Sequence, residues 1–106
     1  MPEFADPFNG NTPDRKLTLS ELVRAIRLNL AAEQEAIHLY QAHADATDNE
    51  LAKAVLLDIA DEEREHVGEF QRLLSIILED EDELLAEGAE EVDEMAEELG
   101  FDLGER

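Results

Sequence analysis

The feature that most limits the fold is a pair of long helix-forming segments joined by a very short connection. TLSE at residues 18–21 and TDNE at 47–50 both match the capping box, in which a Ser or Thr hydroxyl and a Glu carboxylate satisfy free amide donors at a helix start. All prolines precede residue 14, so neither segment contains a proline that would break a helix. The second box requires the first helix to end near Asp45–Ala46. Two helices of about 28 and about 30 residues joined this closely must fold back as an antiparallel hairpin.

Both segments repeat apolar residues at alternating steps of three and four, which marks one face of an α-helix. The predicted inward-facing series are Leu19, Leu22 or Val23, Ile26, Leu30, Glu33, Ile37, Tyr40 and Ala44 in the first helix, and Ala52, Leu56, Ile59, Glu63, His66, Phe70, Leu73 and Ile77 in the second. Glu33, Glu63 and His66 are the positions that break the apolar rule. Because burying an unpaired charge is costly, these three side chains need a compensating partner.

The three exceptions are predicted to lie at one height in the hairpin. Glu33 lies about 13 residues before the centre of the connection, while Glu63 and His66 lie about 16 and 19 residues after it. With a rise of about 1.5 Å per residue, Glu63 comes within roughly 5 Å of Glu33 along the hairpin. Residues spaced i, i+3 share a helix face, so His66 lies beside Glu63. Two carboxylates and one imidazole suit a divalent metal ion, with iron, manganese and zinc as candidates.

One chain carries half of a known metal-binding arrangement. Ferritin-like di-iron bundles use a Glu from each of two helices and a Glu-x-x-His pair from each of two others. A twofold homodimer of hairpins would supply the whole set and place four carboxylates around two ferrous ions, which balances the charge. The predicted fold is therefore all-α: an antiparallel two-helix hairpin with a short C-terminal helix, which forms a ferritin-like four-helix bundle on homodimerisation.

Composition divides the chain into three parts. Residues 1–17 contain the prolines and are predicted to form an irregular arm, residues 18–78 form the hairpin, and residues 79–106 hold 14 of the 29 acidic residues. In this last part, one helical face carries apolar residues at Leu84, Leu85, Val92, Met95 and Leu99. Two interpretations stay open for it: a solvated acidic helix, or an arm that packs on a neighbouring subunit.

The overall charge and the lack of cysteine exclude several functions. A formal net charge of −21 disfavours binding to nucleic acid, whose phosphates it repels. A chain without cysteine has neither disulfides nor thiolate metal sites, which fits the reducing cytoplasm. The N-terminal segment shows no secretory signal, and the longest apolar run, LLSIIL, is too short to span a membrane.

Two segments carry a resemblance to a known family. LNLAAEQEAIHLY at residues 28–40 and DEEREH at 61–66 resemble encapsulated ferritins, short two-helix relatives of ferritins that are housed inside encapsulin shells. The resemblance covers residues 15–80. It implies a homodimer with a di-iron ferroxidase centre, a ring of five such dimers, and oxidation of ferrous iron for storage in an encapsulin nanocompartment of the cytoplasm. Zinc, manganese and calcium are expected substitutes for the iron.

The resemblance also implies roles for particular residues. The matched positions are the iron ligands Glu33, Glu63 and His66, a tyrosine beside the centre at Tyr40, and an outer acidic residue that attracts iron at Glu35. Ala32 and Leu39 stand where some members carry an acidic and an aromatic residue, so the outer site is expected to be weaker here. The C-terminal FDLGER does not resemble the short shell-targeting peptide of the family.

Other polar residues are interpreted as surface groups. Glu35 and His38 form a second Glu-x-x-His, but Glu35 lies about 200° round the helix from Glu33 and cannot serve the same centre. His43 lies at the edge of the apolar face. The solvated face of the second helix is assigned to Asp61, Glu62, Glu65 and Glu69, with the alternative that these acids guide cations.

Three functions are compared on this basis. The favoured one is a ferroxidase that binds iron at Glu33, Glu63 and His66. The first alternative is another di-metal carboxylate oxidoreductase, such as an oxygenase, which needs a substrate pocket for which a two-helix subunit leaves little room. The second is a non-catalytic acidic helical module whose dimer is stabilised by metal. Turnover of ferrous iron in air separates the enzyme from the module.

Overall fold

The computed structural model describes residues 14–104, which form three α-helices and no strand. They are α1 (Leu19–Asp45), α2 (Glu50–Ile77) and α3 (Glu81–Glu98). Their lengths are 27, 28 and 18 residues, close to the prediction for the first two. The predicted all-α class is therefore confirmed, while residues 1–13 of the predicted arm lie outside the described residues. None of the described helices is long and apolar enough to cross a membrane.

α1 begins with the predicted capping box and is held further by an arginine. The Glu21 amide donates to the Thr18 hydroxyl at 3.2 Å, and the Thr18 amide donates to the Glu21 carboxylate at 2.9 Å. The Arg15 guanidinium donates to both carboxylate oxygens of Glu21, each at 2.7 Å. The bond from Arg15, and after it the bond from the Thr18 amide, lowers the pKa of Glu21 from 4.5 to about 2. One carboxylate thus caps the helix and binds the segment before it.

We expect the contribution of Glu21 to stability to disappear in acid. Because folding lowers the pKa of Glu21, this contribution is complete above pH 4.5 and is lost as the pH falls through about 2. The difference in free energy of unfolding between wild type and Glu21→Gln, measured by urea titration, should therefore narrow from about pH 5 to about pH 2. Glu98→Gln, at an exposed position of α3, is the control, and equal narrowing in both variants would contradict the assignment.

The connection between α1 and α2 differs from the prediction at the start of α2. α1 ends at Asp45 and α2 begins at Glu50, with Asn49 as its cap. The Ala52 amide donates to the side-chain oxygen of Asn49 at 3.0 Å, and the Asn49 amide donates to the Thr47 hydroxyl at 3.1 Å. The predicted capping box from Thr47 to Glu50 is therefore wrong, because the chain uses Thr47 to reverse direction and asparagine caps a helix at least as well as threonine. The short connection leaves the two helices antiparallel, as predicted.

Asn49→Ala should lower the stability by about 1 kcal/mol, because it removes the side-chain acceptor of the first turn of α2. Thr47→Ala should lower the stability by less, because the Thr47 hydroxyl accepts a hydrogen bond from the Asn49 amide, which lies before the first residue of α2. Urea titrations of both variants measure the two changes in the free energy of unfolding. The comparison uses the same slope of this free energy against urea concentration for both variants. The opposite order of stability would make Thr47 the functional cap after all.

The unit that ends at Leu74 has a thin core. Its buried apolar side chains, each at most 4% exposed, are Ile26, Ala44, Ala60 and Leu74. Most of the other predicted inward-facing residues are half-buried, and Leu19, His66 and Leu73 are exposed. The prediction is wrong at these three positions for a single chain, because one partner helix covers only one side of a broad apolar face. Large apolar side chains are also exposed at Leu22, Leu39, Leu51, Val55 and Leu57.

The unit that begins at Ser75 contains α3 and a well-formed end of that helix. The Gly100 amide donates to the Glu97 carbonyl at 3.0 Å and the Phe101 amide to the Ala96 carbonyl at 2.9 Å, which is the Schellman arrangement. Gly100 has a φ of 88°, which glycine adopts without a Cβ penalty. The predicted apolar residues of α3 are all exposed, at Leu84, Leu85, Val92, Met95 and, just after it, Leu99. Both interpretations of the acidic tail therefore stay open.

Candidate metal centre

Three predicted residues come together between the two long helices. Glu33 lies near the middle of α1, and Glu63 and His66 lie on α2. One possible ligand atom from each lies within 4.8 Å of the other two. The predicted convergence is confirmed, because the rise per residue brings Glu33 level with Glu63 and the i, i+3 spacing keeps His66 on the same side. Within residues 14–104, no other group of His, Asp or Glu side chains meets this criterion.

The imidazole lies between the two carboxylates. His66 Nδ1 is 3.5 Å from Glu33 Oε2 and 3.5 Å from Glu63 Oε2. Both distances are longer than a well-formed N–H···O hydrogen bond. Glu33 Oε2 is buried and has no hydrogen-bond partner in the described part of the chain. A buried acceptor without a partner costs about 1–3 kcal/mol, and more when it is charged, so this oxygen requires a cation or a proton.

The three side chains fit a divalent cation. Two carboxylate oxygens and one imidazole nitrogen are suitable ligands for iron, manganese or zinc. Two ionised carboxylates and a neutral imidazole also match the charge of such an ion. A cation bound here would satisfy the free oxygen of Glu33. Three ligands from one chain leave coordination positions for further groups.

One chain encloses the site only in part. The side chains of Glu63, Glu33 and His66 are 18%, 23% and 47% exposed. A cavity of about 260 Å³ opens beside them and is lined by Glu33, His66, Glu69 and Phe70. The cavity provides a route from solvent to Glu33, and the exposed side of His66 leaves space for ligands from elsewhere.

The remaining predicted site residues lie outside this group. Tyr40 is half-buried on α1, two helical turns or roughly 10 Å from Glu33 along the axis. Glu35 is half-buried and does not line the cavity beside Glu33. His38 and His43 are exposed, which agrees with their interpretation as surface groups. The roles of Tyr40 and Glu35 stay predictions.

One residue beside the site is missing from the predicted set. Sequence reasoning assigns Glu69 to the solvated face of α2, yet Glu69 lines the cavity together with Glu33 and His66. The available signal was its i, i+3 spacing from His66, because residues so spaced are neighbours on a helix. Asp61 and Glu65, which the sequence places on the same solvated face, line a separate hollow with Arg64.

Comparison with known proteins extends over most of the chain. The profile of the family described as Rubrerythrin matches residues 17–102. The Encapsulin nanocompartment cargo protein EncC of Myxococcus xanthus is 55% identical over 75 residues, and the Ferritin-like-encapsulin shell fusion protein of Pyrococcus furiosus is 40% identical over 82 residues. These alignments cover 71% and 77% of this chain but only 56% and 24% of the two relatives, so the chain spans only part of each.

A solved structure shows the same fold. The crystal structure of the encapsulated ferritin domain from Pyrococcus furiosus matches with a TM-score of 0.75 and 40% sequence identity. The match covers 78% of this chain and 85% of that one. The ferritin-like fold and the resemblance seen in the sequence are thereby confirmed. The three described helices and the cluster of Glu33, Glu63 and His66 all lie inside the matched residues 17–102. The chain therefore belongs to the rubrerythrin family.

Proposed function

We propose that this protein is a ferroxidase, which oxidises Fe(II) to Fe(III) at a di-iron centre shared between two subunits. The observation that carries the proposal is the cluster of Glu33, Glu63 and His66, in which a buried oxygen of Glu33 has no partner among the described residues. The ferritin-like fold favours iron over the other divalent ions that these ligands would accept.

The second half of the centre would come from a second copy of the chain. One chain offers two carboxylates and one imidazole, which is half of the set in ferritin-like di-iron bundles. On α2, the exposed Val55, His66 and Leu73 are separated by 11 and 7 residues, which brings them within roughly 20° of one another on the helix surface. A second hairpin that covers this row would bury its apolar side chains and bring two half-sites together, giving the predicted four-helix bundle.

In the proposed reaction, ferrous ions are the substrate and residues of the chain bind them. Glu33 and Glu63 bind and bridge the two ions, and one His66 holds each. Two ferrous ions release two electrons, which a dioxygen-type oxidant takes up. Anionic oxygen ligands stabilise the ferric product more than the ferrous substrate, so the carboxylates favour the loss of electrons. The proposed site also includes Tyr40, beside the centre, and Glu35, an outer acidic residue that attracts iron.

We place this reaction inside an encapsulin nanocompartment of the cytoplasm, where the oxidised iron is stored. The names of the similar proteins support the placement, since one is an encapsulin cargo protein, one joins a ferritin-like part to an encapsulin shell, and one is an encapsulated ferritin domain. The proposed partners are a second copy of the chain, further dimers in a ring-like decamer, and the shell protein.

Oxidation of ferrous iron in air tests the proposal. Protein loaded without oxygen at two Fe(II) per dimer is mixed with air-saturated buffer, and the absorbance of ferric iron is followed. We expect oxidation to be more than about 10-fold faster than in buffer alone, because the carboxylates favour the ferric state. A fresh addition of iron should be oxidised in turn, as repeated turnover requires.

A non-catalytic, metal-stabilised dimerisation module is the second candidate, and the half-open site favours it. A metal ion held by Glu33, Glu63 and His66 could serve only to join two exposed apolar faces. Such a module would bind iron and dimerise, yet it would leave oxidation at the rate of buffer alone. The same assay therefore separates the two functions when it is paired with a measurement of bound metal.

The proposed domain limits, with the hairpin at 18–78 and the acidic tail at 79–106, lead to a further prediction. Deleting residues 79–106 should leave the iron-loaded dimer intact, because the three candidate ligands lie before this segment. It should weaken larger assemblies, because α3 exposes apolar residues such as Leu84 and Met95 that a neighbouring subunit could cover. Light scattering of the truncated, iron-loaded protein measures its size. A ring of unchanged stoichiometry would show that the tail has no part in assembly.

A further inference from the structure

The cavity beside the candidate centre has a polar side that the proposed centre does not use. Glu69 lines it together with Glu33, His66 and the half-buried Phe70. Glu69 follows His66 by three residues, so it lies about one helical turn further along α2. It is also about half a turn round the helix from the buried Ala60, and its side chain is exposed. The cavity therefore reaches from an exposed carboxylate towards Glu33 and its buried free oxygen.

The order of these groups suits the passage of a cation. The exposed carboxylate of Glu69 can meet a hydrated ion in solvent, His66 is exposed beside it, and Glu33 is half-buried. Phe70 forms an apolar wall, and a low-dielectric wall strengthens the attraction between a carboxylate and a cation nearby. An ion that moves inward exchanges its bound water for protein ligands. The last ligand on this path is the Glu33 oxygen that has no hydrogen-bond partner among the described residues.

Neighbouring acids on α2 lack this setting. Asp61 and Glu65 line a separate hollow with Arg64, whose guanidinium lies 3.6 Å from the Asp61 carboxylate. A cation approaching that hollow meets a positive charge, and neither Glu33 nor His66 lines it. Glu65 is therefore a close match to Glu69 in residue type, helix and exposure, and it differs in the cavity that it lines.

We propose that Glu69 captures ferrous iron at the mouth of the cavity and passes it to His66 and Glu33. In this role Glu69 is a positioning residue: it raises the rate at which ions reach the centre and is not one of the final ligands. The proposal rests on the proposed function in taking ferrous iron as the ion that is bound.

Cobalt binding tests the capture role without any oxidation. Co²⁺ is mixed with the full chain in a stopped-flow instrument, and the absorbance of the bound ion is followed at several cobalt concentrations. We expect Glu69→Gln to lower the bimolecular rate constant about 5- to 10-fold, because a charge that guides an ion changes its rate of association. The cobalt stoichiometry, the dissociation constant and the size of the loaded protein should stay within about twofold of wild type. Glu65→Gln should bind at nearly the wild-type rate.

Several results would overturn the capture role. If Glu69→Gln and Glu65→Gln slowed cobalt binding equally, the effect would be one of overall charge. If neither variant slowed cobalt binding, neither carboxylate would guide the ion. Loss of stoichiometry or affinity in Glu69→Gln would make Glu69 a final ligand, and loss of the loaded dimer would make it an interface residue. If wild type itself bound no cobalt, the proposed metal centre would fail together with the capture role, a result that differs from all the others.

Discussion

Glu33→Ala is expected to slow the oxidation of ferrous iron by more than about 100-fold and to leave the helix content nearly unchanged. Glu33 has a buried oxygen without a hydrogen-bond partner among the described residues, so in the proposed function its carboxylate would bind metal and contribute little to the packing of the hairpin. Without it, Glu63 and His66 lose the ligand that α1 provides, and iron is no longer held between the two helices. Stopped-flow absorbance measures the rate, and circular dichroism measures the helix content.

His66→Ala should have a comparable effect, because it removes the nitrogen ligand proposed for each ion. Glu62→Ala is the matched control, since Glu62 is an exposed glutamate next to Glu63 and lies outside the group. It should keep the wild-type rate within about twofold, as surface substitutions usually do. In the absence of metal, Glu33→Ala should be at least as stable as wild type, because it removes a buried charge. Wild-type rates in both Glu33→Ala and His66→Ala would remove these residues from the centre.

The convergence of Glu33, Glu63 and His66 could be predicted from the sequence because it depends on helix geometry alone. The rise per residue, the spacing of three and the short connection fix their relative heights, and none of these depends on a neighbouring molecule. The cap of α1 was equally predictable, since Thr18 and Glu21 match the capping-box pattern. At α2, Thr47 and Asn49 are both good caps, and the choice depends on how many residues the chain needs to reverse direction.

Exposure could not be predicted in the same way. Periodicity shows which residues favour burial, but it does not show which chain buries them. Leu73 and His66 therefore belong to the predicted apolar face and are nevertheless exposed in one chain. Glu69 was missed for a related reason: helical phase places it on the outer side of α2, whereas the cavity that it lines depends on the shape of the surface between two helices.

Ferrous iron added without oxygen should convert a population rich in monomer into dimers and larger rings. In the proposed dimer without metal, two copies of Glu33 and Glu63 would bring four carboxylates to one axis, so repulsion and loss of hydration would oppose association. An ion that binds the completed site and not the half-site favours the dimer by mass action. Free iron at about 100 times its dissociation constant adds about 2.7 kcal/mol per site, or about 100-fold in the association constant. Native mass spectrometry across an iron titration measures the shift.

Acid and chelator should reverse this assembly. The ligands must be deprotonated to bind metal, so protons displace iron from Glu63 and His66 and return the protein to the monomer. High salt should imitate iron only in part, because it screens exposed charges well and the half-buried Glu33 and Glu63 less. Assembly at low pH with iron present should therefore resemble that of the metal-free protein.

Variants at two adjacent glutamates decide whether the site is divided between subunits. Glu63→Ala removes both a repelling charge and a ligand from each half-site, so its oligomer distribution should no longer respond to iron. Glu62→Ala removes the same charge from an exposed neighbouring position and should follow iron as wild type does. If the wild-type distribution ignored iron just as that of Glu63→Ala does, no metal site would be shared between two chains, and the exposed side of His66 would need another explanation.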